Sequence, residues 1–257
     1  MSDSISGKIT KAIITSAGQG SRMKRVTRVL PKALLPLFKK EGDLRIMVPV
    51  AEFIIESLSM AGVSKFCFVV GKHKSLLMDY LFDMGVTFVF QNEPKGFGDA
   101  VLRGEDFASQ GPVFVHADDG VLTGGYNEAA GLFAEKDADA VLLLRKTDNP
   151  KRYGIVTAEQ DSDYMGHKVF KITGAEEKPK NPKSDMMLSA VYLFSHRIFG
   201  SLRESEQSGE FELTPGIDRI IKNGGRVYGI LLEKERWLNV GDTESYHKAL
   251  EYSYEKL

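Results

Sequence analysis

Apolar segments of two kinds alternate along the first half of the chain, and this alternation restricts the fold more than any other feature of the sequence. Residues 12–14, 65–70 and 140–144 are short runs of β-branched and other apolar side chains, as in buried strands. Residues 50–60, in contrast, carry apolar side chains at helical spacing. Strands that alternate with helices predict an α/β fold in which helices cover both faces of a mainly parallel sheet.

The pattern changes in the second half. Residues 153–157 and 168–172 have strand-like sequences with a polar stretch between them, which predicts a β-hairpin. A further strand is expected at residues 227–232 and a closing helix at residues 243–254. Because no repeat and no linker-like segment interrupts the chain, residues 1–257 are expected to form one domain.

The charge balance excludes one class of function. Lys and Arg total 34 and Asp and Glu total 35, for a formal net charge of −1. No overall positive field is available to hold nucleic acid, so we expect no nucleic-acid partner, and any anionic ligand must be bound by local groups.

Cysteine content and hydropathy bear on location. Cys67 is the single cysteine, so neither an internal disulfide nor a cysteine pair for zinc can form. The polar first residues and the short apolar runs predict neither a signal peptide nor a membrane span. We therefore expect a cytoplasmic protein without a membrane partner.

A glycine-rich turn follows the first predicted strand directly. Residues 17–21 read Ala-Gly-Gln-Gly-Ser, and Gly18 and Gly20 let backbone N–H groups approach an anion closely. Ligands of open parallel sheets bind beyond the carboxyl ends of the strands, where this turn lies. Met23 replaces the third glycine of a dinucleotide-binding turn, and no Gly-Lys-Ser/Thr follows. Neither a nicotinamide dehydrogenase nor a P-loop NTPase is favoured.

Two cationic residues follow the turn. Arg22 offers phosphate oxygens a planar fork, and Lys32 offers a mobile point charge. A triphosphate that loses pyrophosphate needs such groups, because negative charge builds on the leaving group. The glycine turn taken alone favours an ordinary strand-to-helix connection over a phosphate site, because single glycine motifs occur in many unrelated turns.

Residues 17–36 resemble the signature of the sugar-1-phosphate nucleotidyltransferases, especially the bacterial-type UTP–glucose-1-phosphate uridylyltransferases. The spacing from Ala-Gly-x-Gly-(Ser/Thr)-Arg-Met to Pro-Lys-x-x-Leu-Pro matches without gaps. The resemblance implies a Rossmann-like fold with a mixed, mainly parallel central sheet, helices on both faces and β-hairpin insertions in the second half. It also implies a nucleotide-binding half at about residues 10–145 and a sugar-binding half with the closing helix at about residues 146–257. Within this segment it assigns nucleotide binding to Ala17, Gly18, Gly20 and Ser21, and catalysis to Arg22 and Lys32.

A loop after a later strand resembles the nucleobase loop of the family. Residues 91–100 read Gln-Asn-Glu-Pro-Lys-Gly-Phe-Gly-Asp-Ala. The resemblance assigns Gln91 and Gly96 to the pyrimidine base. A side-chain amide suits a uracil edge because it both donates and accepts hydrogen bonds.

Two acidic residues follow the predicted strand at residues 113–115. Carboxylates at the carboxyl end of a strand suit Mg²⁺, a hard ion that takes oxygen ligands. The segment resembles the Gly-Asp-Asp of the family, with Ala117 in place of the glycine, and this implies that Asp118 binds the metal. His116 takes a position that is usually apolar in the family, and we expect it to be structural.

Two motifs of the second half resemble the sugar-binding elements of the family. Residues 153–156 match Tyr-Gly-x-Val, and residues 177–179 match Glu-Lys-Pro. The resemblance implies that Gly154 and Glu177 hold sugar hydroxyls and that Lys178 holds the sugar phosphate.

A late motif departs from the pattern of the family. Residues 237–243 resemble Trp-x-Asp-x-Gly-(Thr/Asn), whose aspartate is the second metal ligand, but Asn239 stands at its place. A neutral amide oxygen should bind Mg²⁺, the expected cofactor, less strongly than a carboxylate. Asp242 could compensate, or it could cap the final helix. Trp237 is expected to pack rather than to take part in the chemistry. A second departure is Ala190, which replaces a glycine of the sugar-facing strand and bears on which sugar fits.

The resemblance covers roughly residues 10–255, with five motifs in the order of the family. It implies an enzyme that joins UTP or dTTP to a sugar 1-phosphate, most simply making UDP-glucose, and a possible homo-oligomer. One alternative is a thymidylyltransferase, although the consecutive Asp118 and Asp119 favour the uridylyl enzymes. Another is a non-catalytic sugar-nucleotide sensor, which Ala117, Asn239 and Ala190 would support.

Overall fold

The computed structural model describes residues 9–18, 20, 23, 25–205, 211–233 and 236–257. Within them the strands are β1 (Lys11–Ser16), β2 (Pro36–Glu41), β3 (Leu44–Pro49), β4 (Lys65–Val70), β5 (Thr87–Phe90), β6 (Val113–Ala117), β7 (Gly120–Leu122), β8 (Ala140–Lys146), β9 (Gly154–Tyr164), β10 (His167–Glu177), β11 (Met186–Phe194), β12 (Val227–Leu231) and β13 (Trp237–Asn239). The helices are α1 (Val50–Met60), α2 (Ser75–Leu81), α3 (Phe97–Arg103), α4 (Glu105–Ala108), α5 (Tyr126–Glu135), α6 (Arg197–Ser205), α7 (Thr214–Lys222) and α8 (Thr243–Lys256).

In the part of the chain that the structure describes, nine strands form one central sheet in the order β5-β4-β1-β6-β11-β8-β12-β10-β9. Strands β10 and β11 run in one direction, and the other seven strands run in the opposite direction. Strands from both halves of the sequence contribute to this sheet. The mixed, mainly parallel sheet predicted from the sequence is confirmed.

Helices cover both faces of the sheet because side chains alternate along each strand. In β1, Ile14 faces a core that includes residues of α1, α5 and α8. Its neighbour Ile13 faces a second core that includes residues of α3, α6 and α7. Both isoleucines are fully buried, as in a sheet covered on both sides.

Four parallel neighbours, β5, β4, β1 and β6, end at the same edge of the sheet. The segments that follow them are residues 91–96, 71–74, 17–20 and 118–119. The topology thus collects residues that are far apart in the sequence at one edge, as expected for an open α/β sheet.

Some elements differ from the sequence prediction. The hairpin β9–β10 extends well beyond the predicted residues 153–157 and 168–172. Its outer part was not predicted, because that part is polar and half-exposed and lacks an apolar run. The helical segment after β5 is divided into α3 and α4 at Gly104, where a β-carbon would crowd the side chain of Ile13. The ribbons β2–β3 and β7–β13 and the helix α6 were not predicted. Among the described residues, no helix combines the length and the apolar character that a bilayer crossing requires.

Candidate active site

Two adjoining cavities open at the carboxyl edge of the sheet. The first has a volume of about 490 Å³ and the second about 290 Å³. The residues that line both cavities are Phe97, Asp119, Ala190 and Glu212. Since four residues are common to both, the two cavities form one bipartite cleft.

The structure brings together every predicted site residue that it describes. Those that line the first cavity are Ala17, Gly18, Gly20, Lys32, Gln91, Gly96 and Asp118. Those that line the second cavity are Gly154, Glu177, Lys178 and Asn239. Ser21 and Arg22 lie outside the described residues.

The glycine turn is held against a neighbouring hydroxyl group. Gly20 has a φ of 64°, a conformation that favours glycine, and its carbonyl accepts a 2.6 Å hydrogen bond from Thr27 Oγ1. A β-carbon at Gly20 would lie 2.7 Å from Thr27 Cβ. Gly18, by contrast, has no heavy atom within 4 Å of its would-be β-carbon. Gly20 therefore fixes the turn, while Gly18 leaves space beside it.

Lys32 is a nearly buried cation at the junction of the cavities. It opens a short 3₁₀ turn, Lys32–Leu34, and the residue is 8% exposed. Its Nζ lies 3.4 Å from Oδ2 of Asp119, which lines both cavities. The ion pair keeps the ammonium group where a ligand that spans the cleft would pass.

Asp118 follows β6 and lines the first cavity. Ser16 Oγ donates a hydrogen bond to Asp118 Oδ2. Burial raises the pKa of Asp118 above its ordinary value, and the positive charge of Lys74 opposes this effect. A buried carboxylate of this kind is stabilised when a cation binds beside it.

Lys74 is a residue of the first cavity that no sequence motif includes. It follows β4 and precedes α2, and it lines the first cavity together with Lys32 and Asp118. The rule that ligand-binding residues follow parallel strands could have found it.

His116 supports this loop from the core. Its Nδ1 donates to the carbonyl of Ala117 at 2.6 Å, which leaves Nε2 to accept from Tyr126 Oη at 2.8 Å. Burial lowers the pKa of His116 to about 4, so the ring is neutral. Its centroid lies 5.8 Å from that of Trp237. These contacts agree with the structural role expected for both rings.

The predicted metal ligands lie on adjoining segments. Asn239 faces Gly120 in the β7–β13 ribbon, and the amide of Val240 donates to the carbonyl of Asp119 at 2.8 Å. Asn239 Oδ1 accepts a 2.9 Å hydrogen bond from the amide of Gly241, which orients its side chain. The ribbon therefore places Asn239 beside the loop that carries Asp118.

Asp242 caps the closing helix. Its Oδ1 accepts from the amide of Ser245 at 3.0 Å, and its Oδ2 accepts from Ser245 Oγ at 2.9 Å. Of the two roles open to Asp242 at the sequence level, the structure shows the cap.

The donor set suits a hard divalent cation. Asp118, Asp119 and Asn239 all present oxygen atoms, the ligands that Mg²⁺ prefers. No cluster of three or more His, Cys, Asp or Glu side chains suited to a metal occurs among the described residues. A site with few protein ligands leaves coordination positions for phosphate oxygens and water, as Mg²⁺ commonly requires.

The loop after β5 is fixed by backbone contacts. Gln91 Nε2 donates to the carbonyl of Gly96 at 3.1 Å and to Asp99 Oδ2 at 2.7 Å. Gly96 has a φ of 131°, and a β-carbon there would lie 2.7 Å from the carbonyl carbon of Phe211. The amide of Phe211 in turn donates to the carbonyl of Lys95 at 2.6 Å. Glycine is therefore required at position 96 for two reasons: its φ is positive, and the backbone of Phe211 lies too close to leave room for a β-carbon.

A carboxylate and a hydroxyl group define one wall of the second cavity. Gly154 pairs with Glu177 across the β9–β10 ladder. Thr214 Oγ1 donates to Glu177 Oε2 at 2.5 Å. Burial raises the pKa of Glu177, and the hydrogen bond from Thr214 opposes this shift. The carboxyl group of Glu177 is thus held in place next to Gly154, whose lack of a side chain makes room for the hydrogen-bonded pair of Glu177 and Thr214.

Lys178 stands between two carboxylates. Its Nζ lies 3.0 Å from Glu212 Oε1 and 3.4 Å from Glu177 Oε1. Its φ of 45° is uncommon for a residue with a side chain and stores local strain. Ala190 has a φ of 58° in β11, where the pairing with β8 is interrupted between Leu188 and Tyr192. Both unusual conformations thus occur at residues that line the second cavity.

Further residues of the second cavity were not predicted as site residues. They include Arg145, Arg152, Tyr192, Glu212 and Thr214. Arg145 carries no mark in the local sequence, because only the pairing of β8 with β11 places it beside the other residues of this cavity.

The family model of the nucleotidyl transferases matches residues 11–256. A Bacillus subtilis (strain 168) protein, provisionally named as a UTP–glucose-1-phosphate uridylyltransferase, is 30% identical, over 94% of this chain and 96% of its own length. A low-salt glycan biosynthesis nucleotidyltransferase of Haloferax volcanii is 27% identical over 93% of this chain, which spans 64% of that relative. The fold is similar to a crystal structure of a UDP-glucose pyrophosphorylase complexed with UDP-glucose, with a TM-score of 0.82, 21% identity, and coverage of 97% of this chain and 100% of that one. Together with the cleft, the match over almost the whole chain shows that the protein belongs to the nucleotidyl transferase family.

Proposed function

We propose that the protein transfers the uridylyl group of UTP to glucose 1-phosphate, which forms UDP-glucose and releases pyrophosphate. The observation that carries this proposal is the bipartite cleft. Its first cavity holds the glycine turn and the base-loop residues, and its second cavity holds the sugar motifs. A nucleotide and a sugar phosphate bound in adjoining cavities would meet at the shared wall formed by Asp119 and Ala190. The relatives described above favour UTP and glucose 1-phosphate as the substrates.

The nucleotide is proposed to occupy the first cavity. Gln91 and Gly96 would bind the pyrimidine base, while Ala17, Gly18, Gly20 and Ser21 would bind the phosphates through backbone N–H groups and a hydroxyl group. Arg22 and Lys32 would offset the charge that builds on the departing pyrophosphate. Gly20 and Lys32 are already held by their contacts with Thr27 and Asp119, so these two residues need little reorganisation during the reaction.

The sugar 1-phosphate is proposed to occupy the second cavity. Gly154 and Glu177 would bind sugar hydroxyl groups, and Lys178 would bind the phosphate. A phosphate oxygen of the sugar would attack the α-phosphorus of UTP, and the bond from that phosphorus to the β-phosphate oxygen would break. The attacking oxygen is already ionised at neutral pH, so the reaction depends on positioning and charge neutralisation and needs no general base.

Asp118 and Asn239 are proposed to hold Mg²⁺. When bound, the ion would neutralise phosphate charge and fix the geometry of the triphosphate. Because Asn239 is neutral, the affinity for the metal should be lower than in a site with two carboxylates. The substrates are small anions bound by local groups, and we propose that the chain works as one domain in the cytoplasm, without a nucleic-acid partner.

The test is pyrophosphate release with Mg²⁺ and glucose 1-phosphate, measured in parallel with UTP and dTTP. The proposal predicts release with UTP well above that with dTTP. A preference for dTTP would make the protein a thymidylyltransferase instead. No release with any sugar 1-phosphate would contradict an enzymatic role and favour a sensor.

Lys32→Ala tests the proposed chemistry in the same assay. Its turnover should fall by two to three orders of magnitude, roughly the effect of removing one group that stabilises transition-state charge. Lys40→Ala is the matched control, because Lys40 is exposed on β2 and lines neither cavity of the cleft. Near-normal turnover of Lys32→Ala would remove Lys32 from the mechanism.

A further inference from the structure

Arg145 is a cation of the second cavity for which the resemblance supplies no role. It lies near the end of β8, is about half-buried and lines the cavity with Lys178. Its guanidinium carbon lies 5.4 Å from the ring centroid of Trp237, and its Nε donates to Ser189 Oγ at 3.3 Å. The contacts with Trp237 and Ser189 hold the guanidinium plane in one orientation.

The charge of Arg145 is left uncompensated at short range. No carboxylate among the described residues lies within ion-pair distance of it, although the negative charge of Asp119 acts on it from farther away. Burial lowers the pKa of Arg145, which shows that water solvates the group incompletely. A partly desolvated guanidinium group without a close counter-ion is stabilised by an anionic ligand.

The neighbouring charges indicate why an anion would need Arg145. Lys178 already lies between Glu177 and Glu212, so much of its charge is offset before a ligand arrives. Lys32 is likewise paired with Asp119. Arg152, at the same cavity, is exposed to water, which weakens its attraction for an anion. Among the described cations of this cavity, Arg145 is thus the one that is partly buried and has no carboxylate of a described residue within ion-pair distance.

We propose that Arg145 binds the phosphate of the sugar 1-phosphate, together with Lys178, and so sets the affinity for that substrate. The inference rests on the proposed function, since it assigns a second cation to the same sugar half of the cleft. The planar fork binds two phosphate oxygens at once, which the single ammonium group of Lys178 cannot do. The cation–π contact with Trp237 and the hydrogen bond to Ser189 orient the fork before the substrate arrives.

The test measures glucose 1-phosphate binding by calorimetry, without Mg²⁺ and with an uncleavable α,β-methylene UTP analogue present. Arg145→Met should raise the dissociation constant by about 10- to 100-fold, the range for losing hydrogen bonds between charged groups. Arg145→Lys, which keeps the charge but loses the fork, should give an intermediate value. Lys146→Met is the matched control and should bind normally, because Lys146 is exposed and paired with Asp185 at 3.0 Å.

Trp237 provides an independent readout of position, since it is the single tryptophan of the chain. Glucose 1-phosphate should change the fluorescence of the wild-type protein, whereas glucose, which lacks the phosphate, should not. In steady-state assays, Arg145→Met should raise the KM for glucose 1-phosphate and leave the KM for UTP unchanged. A merely structural role would shift both constants together.

Three results would overturn the assignment. One is wild-type affinity of Arg145→Met for glucose 1-phosphate. Another is a loss confined to glucuronic acid 1-phosphate, which would show that Arg145 recognises a sugar carboxylate instead. The third is an equal rise of both KM values. Failure of the proposed function is distinguishable, because then the wild-type protein itself would neither bind a sugar 1-phosphate nor release pyrophosphate.

Discussion

Replacing Gly154 with alanine adds a single methyl group at the most crowded point of the second cavity. The new β-carbon would lie 2.5 Å from Thr214 Oγ1, and 2.9 Å from both Glu177 Oε2 and Leu188 Cδ1. It would therefore force apart the hydrogen-bonded pair of Thr214 and Glu177. Gly154 has no positive φ that would add backbone strain, so the effect should be almost purely steric.

The magnitude follows from two opposing terms. Overpacking of a filled site costs about 1–3 kcal/mol. The lower conformational entropy of alanine in the unfolded chain returns about 0.4–1 kcal/mol. With both terms near the middle of their ranges, about 2 and about 0.7 kcal/mol, Gly154→Ala should lower the free energy of unfolding by about 1.3 kcal/mol. It should also raise the KM for glucose 1-phosphate while the KM for UTP stays unchanged, because Gly154 lines only the second of the two cavities.

Urea denaturation and steady-state kinetics measure both effects. The matched control is Gly200→Ala in α6, where a β-carbon would meet no heavy atom within 4 Å. That variant should gain up to about 1 kcal/mol, because alanine is the better helix former. Wild-type stability of Gly154→Ala, or equal changes in the two KM values, would refute the reasoning.

Two more substitutions test the second cavity. Ala190→Gly should raise the free energy of unfolding, measured by urea denaturation, by up to about 1 kcal/mol. A left-handed backbone conformation costs alanine about 1–2 kcal/mol that glycine avoids, and this gain exceeds the entropic cost of glycine of about 0.5–1 kcal/mol. The wider cavity should also raise turnover of N-acetylglucosamine 1-phosphate relative to glucose 1-phosphate, and unchanged selectivity would remove Ala190 from sugar recognition. Burial raises the pKa of Glu177, so above the ordinary pKa of a glutamate the native state still holds a proton that the unfolded chain has lost. The contribution of this residue to the free energy of unfolding therefore falls as pH rises from the ordinary pKa to the raised one. Glu177→Gln should flatten the part of the stability profile that lies above the ordinary pKa of a glutamate, about 4.3, in urea denaturation, and an unchanged profile would contradict the assignment.

The sequence predicted the parts of the fold that depend on local periodicity. The strand-like run at residues 65–70 and the helical spacing at residues 50–60 are observed almost residue for residue as β4 and α1. The ribbon β7–β13 could not be predicted in this way, because each of its strands has only three residues and is stabilised by a distant partner.

The same distinction applies to the candidate site. Residues such as Gln91 and Asp118 directly follow strands and belong to motifs, so the sequence indicates them. Arg145 carries no such mark, because its orientation depends on the cation–π contact with Trp237, which is far away in the sequence. The role of Asp242 also needed the structure, since only the contact with Ser245 distinguishes a helix cap from a metal ligand.

The most direct test of the central claim follows the α-phosphorus of UTP through the reaction. The protein is incubated with Mg²⁺, glucose 1-phosphate and UTP that carries a radioactive label at the α-phosphate, and the products are separated. If UTP and glucose 1-phosphate meet in the two cavities as proposed, the label appears in UDP-glucose and the released pyrophosphate is unlabelled. Label that stays in UTP, or that is released as UMP without a nucleotide sugar, would contradict the account.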